Sequence, residues 1–313
     1  MSAHRLSAAS ALFLTLAPLL WAGNAVAGRL LTPLVAPVTL NFLRWALAAL
    51  VLLPLAWGAL REPALRQAVR AAWRPLALMG LLGIACYNAL LYLALQTSSP
   101  VNVTLVGASL PIWMMLMGAL FFKTPASWRQ AGAALCSLLG VLVVMLRGQW
   151  QQWAHLQLVP GDVFMLVATL CWAGYSWLLL RMPGGAALKA ALPHVRGGWA
   201  ALLLVQISLG LGWAALGAAA EQTWAPWARA PMQWSAPLAA GLVFVALGPA
   251  VAAYRCWGLG VQMAGPTVAA FFSNLIPLFA ALLSALLLGE MPQGYHALAF
   301  ALIVAGIVIS ARK

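Results

Sequence analysis

Acidic side chains are almost absent from this chain. Its 313 residues hold four, Glu62, Asp162, Glu221 and Glu290, and charged residues of both signs make up only 7%. So little charge cannot clothe a globule in water when 65% of the residues are hydrophobic, so a soluble fold is excluded and an integral membrane protein is expected. The same scarcity removes the clustered carboxylates that a membrane-embedded enzyme would use. Histidine is thin too: His4, His155, His194 and His296 fall in loops or near the ends of apolar runs, without a clustered acid or cysteine, which argues against a metal site. Cys86, Cys136, Cys171 and Cys256 stand singly within apolar runs and show neither ligand spacing nor a disulfide framework. No metal, no cofactor and no catalytic residue are expected.

What fills the chain instead is long apolar runs. At about 1.5 Å per residue, some 20 residues cross a hydrocarbon core of about 30 Å. Ten runs of suitable length lie near 8–28, 37–60, 75–96, 100–122, 130–146, 161–180, 197–219, 236–258, 266–289 and 293–310. The expected fold class is an all-α membrane protein with ten transmembrane helices and no soluble domain.

A net charge of +13 would suggest nucleic acid in a soluble protein, but here its placement reports orientation. With the N-terminus inside, thirteen of the seventeen Lys and Arg residues fall in inner segments, Arg29, Arg147 and Arg229 fall outside, and Arg44 lies within span two. Both termini are therefore expected on the cytoplasmic side of a bacterial inner membrane, with lipid rather than nucleic acid as the large partner. In REPALRQAVRAAWR, Arg66, Arg70 and Arg74 recur every four residues and suit an anionic leaflet. In the outer loops, Trp150, Trp153, Trp224, Trp227 and Trp234 suit the headgroup level.

Residues 21–28, WAGNAVAG, contain the small-x-small pattern of a signal-peptide cleavage site, Ala25-Val26-Ala27. Against that reading, WAGN at 21–24 returns as WAGY at 172–175. A longer echo pairs PVNVTLVGASLP at 100–111 with PTVAAFFSNLIP at 266–277, and Gly140 and Gly306 each follow the second proline by twenty-nine residues. Arg44 and Arg196 also correspond, twenty residues after Asn24 and twenty-one after Tyr175, so residues 1–28 are expected to remain as span one. The two repeats are 8–146 and 161–310. Because each holds five spans, an odd number, they enter the membrane from opposite sides, the inverted arrangement used for alternating access around a midplane site.

On WAGNAVAGRLL with LNFLRW, on GDVFMLVATLCWAGYSWLLLR, and on PTVAAFFSNLIPLFAALLSALLLGEMPQGYHALAFALIVAG, the chain resembles the drug/metabolite transporter superfamily. Within it the match is to ten-span proteins built of two EamA domains. The departure is FFKTP, which places Lys123 and Thr124 opposite Gly289 and Glu290. The resemblance implies export of small organic metabolites, often amino acids or related amphiphiles. A non-transporting membrane scaffold or sensor is the alternative.

Polar groups inside spans mark either a pathway or interhelical glue. Asn88 and Tyr92 share a face of span three with Gln96, beside Tyr87. Trp113 lies on span four, Tyr254 on span eight and Asn274 on span nine, while Trp21, Asn24, Trp172 and Tyr175 come from the repeated WAG motifs. Together with Arg44, whose guanidinium suits a substrate carboxylate unless it snorkels or bonds backbone carbonyls, these eleven residues are the expected lining of a site for a small amphiphile. Pro111 and Pro277 are expected to kink spans four and nine. Gly132, Cys136 and Gly140 on span five, and Ala297, Ala301 and Ala305 on span ten, invite close packing, as scaffold or as a homodimer contact. All four acids fall at span ends or in loops, with Asp162 expected as a helix N-cap. No intramembrane proton carrier is thus expected, and transport down the substrate's own gradient follows.

Overall fold

The computed structural model describes residues 7–123, 128–146, 148–149, 151, 159–181, 185–192, 195–225, 232–264, 272–273 and 275–311. All regular structure among them is helical. Helical segments overlap each of the ten apolar runs, and seven helical spans, three of which run through more than one of the helices named below, are, among the described residues, long and apolar enough to cross a bilayer.

In chain order the helices are α1 (Ala8–Leu31), α2 (Pro37–Arg61), α3 (Pro63–Ala71), α4 (Trp73–Met79), a π-helical segment π1 (Gly80–Cys86), α5 (Tyr87–Ala94), α6 (Pro100–Gly107), α7 (Leu110–Phe122), α8 (Trp128–Met145), α9 (Pro160–Arg181) and α10 (Ala186–Ala191). Then follow α11 (Gly198–Trp224), α12 (Ala236–Val245), a second π segment π2 (Ala246–Ala252), α13 (Ala253–Ala264), α14 (Leu275–Leu288) and α15 (Gly294–Ala311). Their starts obey local chemistry. Ser7, Ser99 and Ser235 accept from backbone N–H groups of the first turns of α1, α6 and α12, and Pro37, Pro63 and Pro100 occupy first-turn positions whose N–H would be idle. α7 ends at Lys123 in the left-handed conformation (φ 52°), and Gly289 (φ 68°) does the same after α14 without strain.

The two π segments are the same length and interrupt the third and the eighth expected spans. A wider turn leaves carbonyls without their usual helical donors, and side chains from other helices reach them. Asn41 Nδ2 donates to Ile84 O and Ala85 O at 3.1 and 3.0 Å in π1, while Trp21 Nε1 donates to Pro249 O at 3.3 Å in π2. π1 also crosses α11 closely: a Cβ on Gly80 would lie 2.8 Å from Gln206 O, and one on Gly210 would lie 2.5 Å from Gly80 O, so only glycine fits on either side.

Two apolar clusters form the core. One gathers Leu31, Leu40, Tyr92, Leu105, Met165 and Ile303; the other gathers Trp45, Met79, Ile84, Tyr175, Leu204 and Ile207. α8 and α15 pack together, and Gly140 allows it, because a Cβ there would meet Ala299 O at 2.9 Å. The span-five glycine thus contacts span ten within the chain, while Ala297, Ala301 and Ala305 stay exposed.

Several expectations need correction. Pro111 sits in the first turn of α7, just past Ala108 and Ser109, where regular α-helical bonding lapses within the apolar span Pro100–Phe122 while the backbone stays right-handed; Pro277 lies near the start of α14, and most of the chain just before that helix lies outside the described residues. Arg74 does not continue the face of Arg66 and Arg70, because α3 ends at Ala71 and Arg74 belongs to α4. Gln96 lies in the turn after α5 rather than on the face of Asn88 and Tyr92. Asp162 is inside the first turn of α9, two residues past the start, and is not its N-cap. Arg196 is exposed in the turn before α11 and has no counterpart of the environment of Arg44. Trp224, the last residue of α11, and Trp234, just before α12, are exposed, whereas Trp150, Trp153 and Trp227 lie outside the described residues.

Candidate substrate-binding centre

Three helices of the first half converge on one charge. Arg44, on α2, is only 1% exposed. Its Nη1 donates to Asn24 Oδ1 of α1 at 3.0 Å, to Asn88 Oδ1 of α5 at 2.6 Å and to Tyr92 OH at 3.0 Å. The Tyr92 hydroxyl donates onward to Asn24 Oδ1 at 2.7 Å, and Asn24 Nδ2 approaches Asn88 Oδ1 at 3.4 Å. The guanidinium carbon lies 4.8 Å from the centroid of the Trp45 ring. Arg44 neither snorkels nor bonds span-end carbonyls. It is a buried cation solvated by neutral oxygens and an aromatic face. Taking such a charge from water costs several kcal/mol, which neutral dipoles offset only in part. The centre therefore favours an anion.

Aromatic rings stand on both sides. Trp21 meets Tyr254 edge-on with centroids 6.2 Å apart and lies 5.3 Å from Trp257, and Tyr254 in turn meets Trp45 at 6.1 Å. On the other side Trp172 stacks on Tyr175 and approaches Tyr87, both with centroids 4.8 Å apart, and Tyr175 OH donates to Gln206 Oε1 at 3.1 Å. α1, α2 and α5 from the first half, with α9 and α13 from the second, supply these rings. An apolar groove of about 670 Å³ runs along α1 from Leu19 to Leu31 and on to Leu34 in the turn after it, bounded by Gly241 and Phe244 of α12.

Of the eleven expected residues, the structure brings Asn24, Arg44, Asn88 and Tyr92 into one network, Trp21 and Tyr254 into one aromatic set, and Tyr87, Trp172 and Tyr175 into the other. Trp113 does not join them: its indole N–H is turned back onto Ser109 Oγ of its own helical region at 3.1 Å. Asn274 lies outside the described residues. Asn41, Trp45, Trp257 and Gln206 were not expected. Asn41 and Trp45 carried a signal, since LNFLRW places them three and one residues from Arg44 on the same helix.

The polar groups toward the expected outer ends are structural. Glu221 Oε1 and Oε2, on α11, accept from the backbone N–H groups of Val38 and Thr39 at 3.0 and 2.8 Å and so cap α2 from a neighbouring helix. Asp162 Oδ1 accepts from Ser98 Oγ at 3.2 Å, and Gly161 N–H donates to Thr97 Oγ1 at 2.8 Å. Both acids sit at span ends, as expected, yet both are buried, which the sequence did not indicate. Arg29 Nη1 donates to Leu95 O at 2.6 Å, with Glu290 Oε1 4.0 Å from its Nε. His296 Nδ1 accepts from Gln293 N–H at 2.8 Å, so its Nε2 carries the proton that reaches Asn102 Oδ1 at 2.8 Å. Among the described residues no three His, Cys, Asp or Glu side chains are grouped to hold a metal.

A helical membrane fold with a buried, anion-seeking arginine admits many families, and comparison with known proteins narrows it. The profile of the EamA-like transporter family matches residues 8–146 and 159–312. The chain belongs to the EamA-like transporter family. This EamA-like protein is 24% identical over 305 residues to an uncharacterized transporter of Archaeoglobus fulgidus, covering 96% of this chain and 97% of that one. It is 23% identical over 283 residues to an S-adenosylmethionine/S-adenosylhomocysteine transporter of Chlamydia trachomatis, covering 88% of this chain and 81% of that one. A crystal structure 20% identical in sequence aligns with a TM-score of 0.60 over 97% of both chains, a likeness of fold. The EamA-like chain is thus a multi-pass membrane transporter, and lipid and a small molecule are its natural partners.

Proposed function

We propose that this transporter exports small amphiphilic metabolites bearing a carboxylate, amino acids or related compounds, across the bacterial inner membrane. Alternating access would come from two inverted five-helix repeats, 8–146 and 161–310. The single observation that carries the substrate class is Arg44, fully buried among neutral oxygens. A substrate carboxylate would supply the missing negative charge through charge-assisted hydrogen bonds. The flanking rings of Trp21, Tyr254, Trp172 and Tyr87 would take its apolar part. The paired π segments, each in the third helix of its half, support the repeat reading. The relative that carries S-adenosylmethionine supports it too, since that compound joins an amino-acid head to a planar ring. Both termini are proposed to face the cytoplasm. A homodimer contact, if formed, would use the exposed Ala297, Ala301 and Ala305 face of α15.

The test is flux in proteoliposomes and in everted inner-membrane vesicles, with a panel of amino acids, organic acids and amines. Uptake of carboxylates into everted vesicles is expected, and Arg44→Gln should abolish it while leaving the folded protein in the membrane. Equal flux of amines and acids, unaffected by Arg44→Gln, would remove the anion anchor; no flux of any compound would favour a scaffold or sensor.

A further inference from the structure

Five buried polar side-chain atoms have no hydrogen-bond partner among the described residues, and three of them lie on one helix: Asn41 Oδ1, Arg44 Nε and Trp45 Nε1. Positions three and four apart on a helix share a face, and all three side chains are at most 1% exposed. Their orientations are fixed by the contacts they do make. The Asn41 amide must aim Nδ2 at the carbonyls of Ile84 and Ala85, which leaves Oδ1 directed away from them. Arg44 Nη1 is committed to Asn24, Asn88 and Tyr92, which leaves Nε–H unspent. Trp45 lies against the guanidinium on one side and meets Tyr254 edge-on at 6.1 Å on the other. A single unmade hydrogen bond on a buried group is costly and uncommon. Three within two turns of α2 describe a surface built to be completed from outside the chain.

The chemistry of the three atoms is specific. Two are N–H donors, one of them on a cation, and the third is an acceptor. A carboxylate alone would use the donors and leave Asn41 Oδ1 unmade. An amine alone would bring a second positive charge against Arg44. A carboxylate with an N–H one carbon away satisfies all three.

We propose that Asn41, Arg44 and Trp45 form the head-group subsite for an α-amino acid. The carboxylate accepts from Arg44 Nε–H and Trp45 Nε1–H, and the amino group donates to Asn41 Oδ1. This rests on the reading of Arg44 as an anion anchor and adds to it a requirement for the neighbouring amino group. Trp45 and Asn41 become the specificity-determining residues, and the substrate side chain is left to the Trp21 and Tyr254 rings.

The experiment is equilibrium binding to the purified full-length protein by calorimetry. Its probes are three matched sets with phenylalanine, leucine and methionine side chains, each offered as the amino acid, the deaminated acid and the decarboxylated amine. In at least one set the wild type should bind the amino acid about tenfold or more tightly than the acid, the acid in turn above the amine, since one hydrogen bond to a charged group is worth about tenfold to a hundredfold. Asn41→Ser should erase the preference for amino acid over acid. Trp45→Phe keeps the ring, loses the donor, and should weaken amino acid and acid alike by about tenfold. Melting midpoints identify any variant that has not folded, and the wild-type selectivity stands without the variants. Equal binding of acid and amino acid overturns the subsite while sparing the anion anchor. Binding of amines alone, or of no probe, overturns the anchor and the subsite with it. Unchanged affinities in folded Trp45→Phe and Asn41→Ser mean that the three atoms serve no head group.

Discussion

Glu221 and Thr39 lie on different helices, and the carboxylate of the first accepts from both the backbone N–H and the hydroxyl of the second, at 2.8 and 3.0 Å. Helix α2 has no side chain of its own at its N-cap, Ala36, so its idle N–H groups are satisfied from α11. The carboxylate also complements the positive end of the helix that carries Arg44. Glu221→Ala should therefore lower stability by about 1–3 kcal/mol, with Glu221→Gln intermediate because one acceptor oxygen remains. Melting midpoints in detergent decide it. An Ala variant as stable as wild type would mean that the cap contributes nothing.

Asn88 Oδ1 stands 2.6 Å from Arg44 Nη1. Asn88→Asp places a carboxylate there, and the ion pair so formed supplies from within the chain the negative charge a substrate would bring. The variant should fold at least as stably as wild type and transport at least about tenfold more slowly. Full activity in folded Asn88→Asp would show that Arg44 does not bind the anion.

Trp172 and Trp113 are both half-buried tryptophans of the expected lining, yet only Trp172 joins a ring cluster, with Tyr87 and Tyr175. Trp172→Ala should cut flux by about tenfold or more, since an aromatic contact adds about 0.5–1.5 kcal/mol beyond the area lost. Trp113→Phe, which loses only the bond to Ser109, should change it little. The reverse order would move the pathway toward α7.

Coupling is tested by removing the gradients. Asp162 is buried in the first turn of α9, where its Oδ1 accepts from Ser98 Oγ. Flux from substrate-loaded liposomes should persist without a pH difference or a membrane potential, and Asp162→Asn, which keeps an acceptor for Ser98, should retain much of it. Strict dependence on an imposed proton gradient, lost in Asp162→Asn, would make Asp162 the coupling group.

The charge asymmetry predicts that a reporter active only in the periplasm, fused after Lys313, is silent. Activity there would invert every inner and outer assignment.

The sequence alone determined the solvent, the helical class and the residue types at the centre. Membrane-embedded backbone must satisfy itself, so long apolar runs admit little besides helices, and Asn24, Arg44, Asn88 and Tyr92 stood out because polar groups are rare there. Only the tertiary structure decided which of those groups meet. The lengths of the connecting turns and the register of α1, α2 and α5 bring the other three onto the Arg44 guanidinium, whereas Trp113, on an equally plausible face, turns back onto Ser109. The π segments were not legible either. Widening a helix by one residue per turn is a compromise between packing partners, here the glycines at 80 and 210, and it leaves no mark in the apolar periodicity. LNFLRW places Asn41 and Trp45 beside Arg44, but sequence shows only which polar atoms are present, while the packed structure shows which of them are left without a partner.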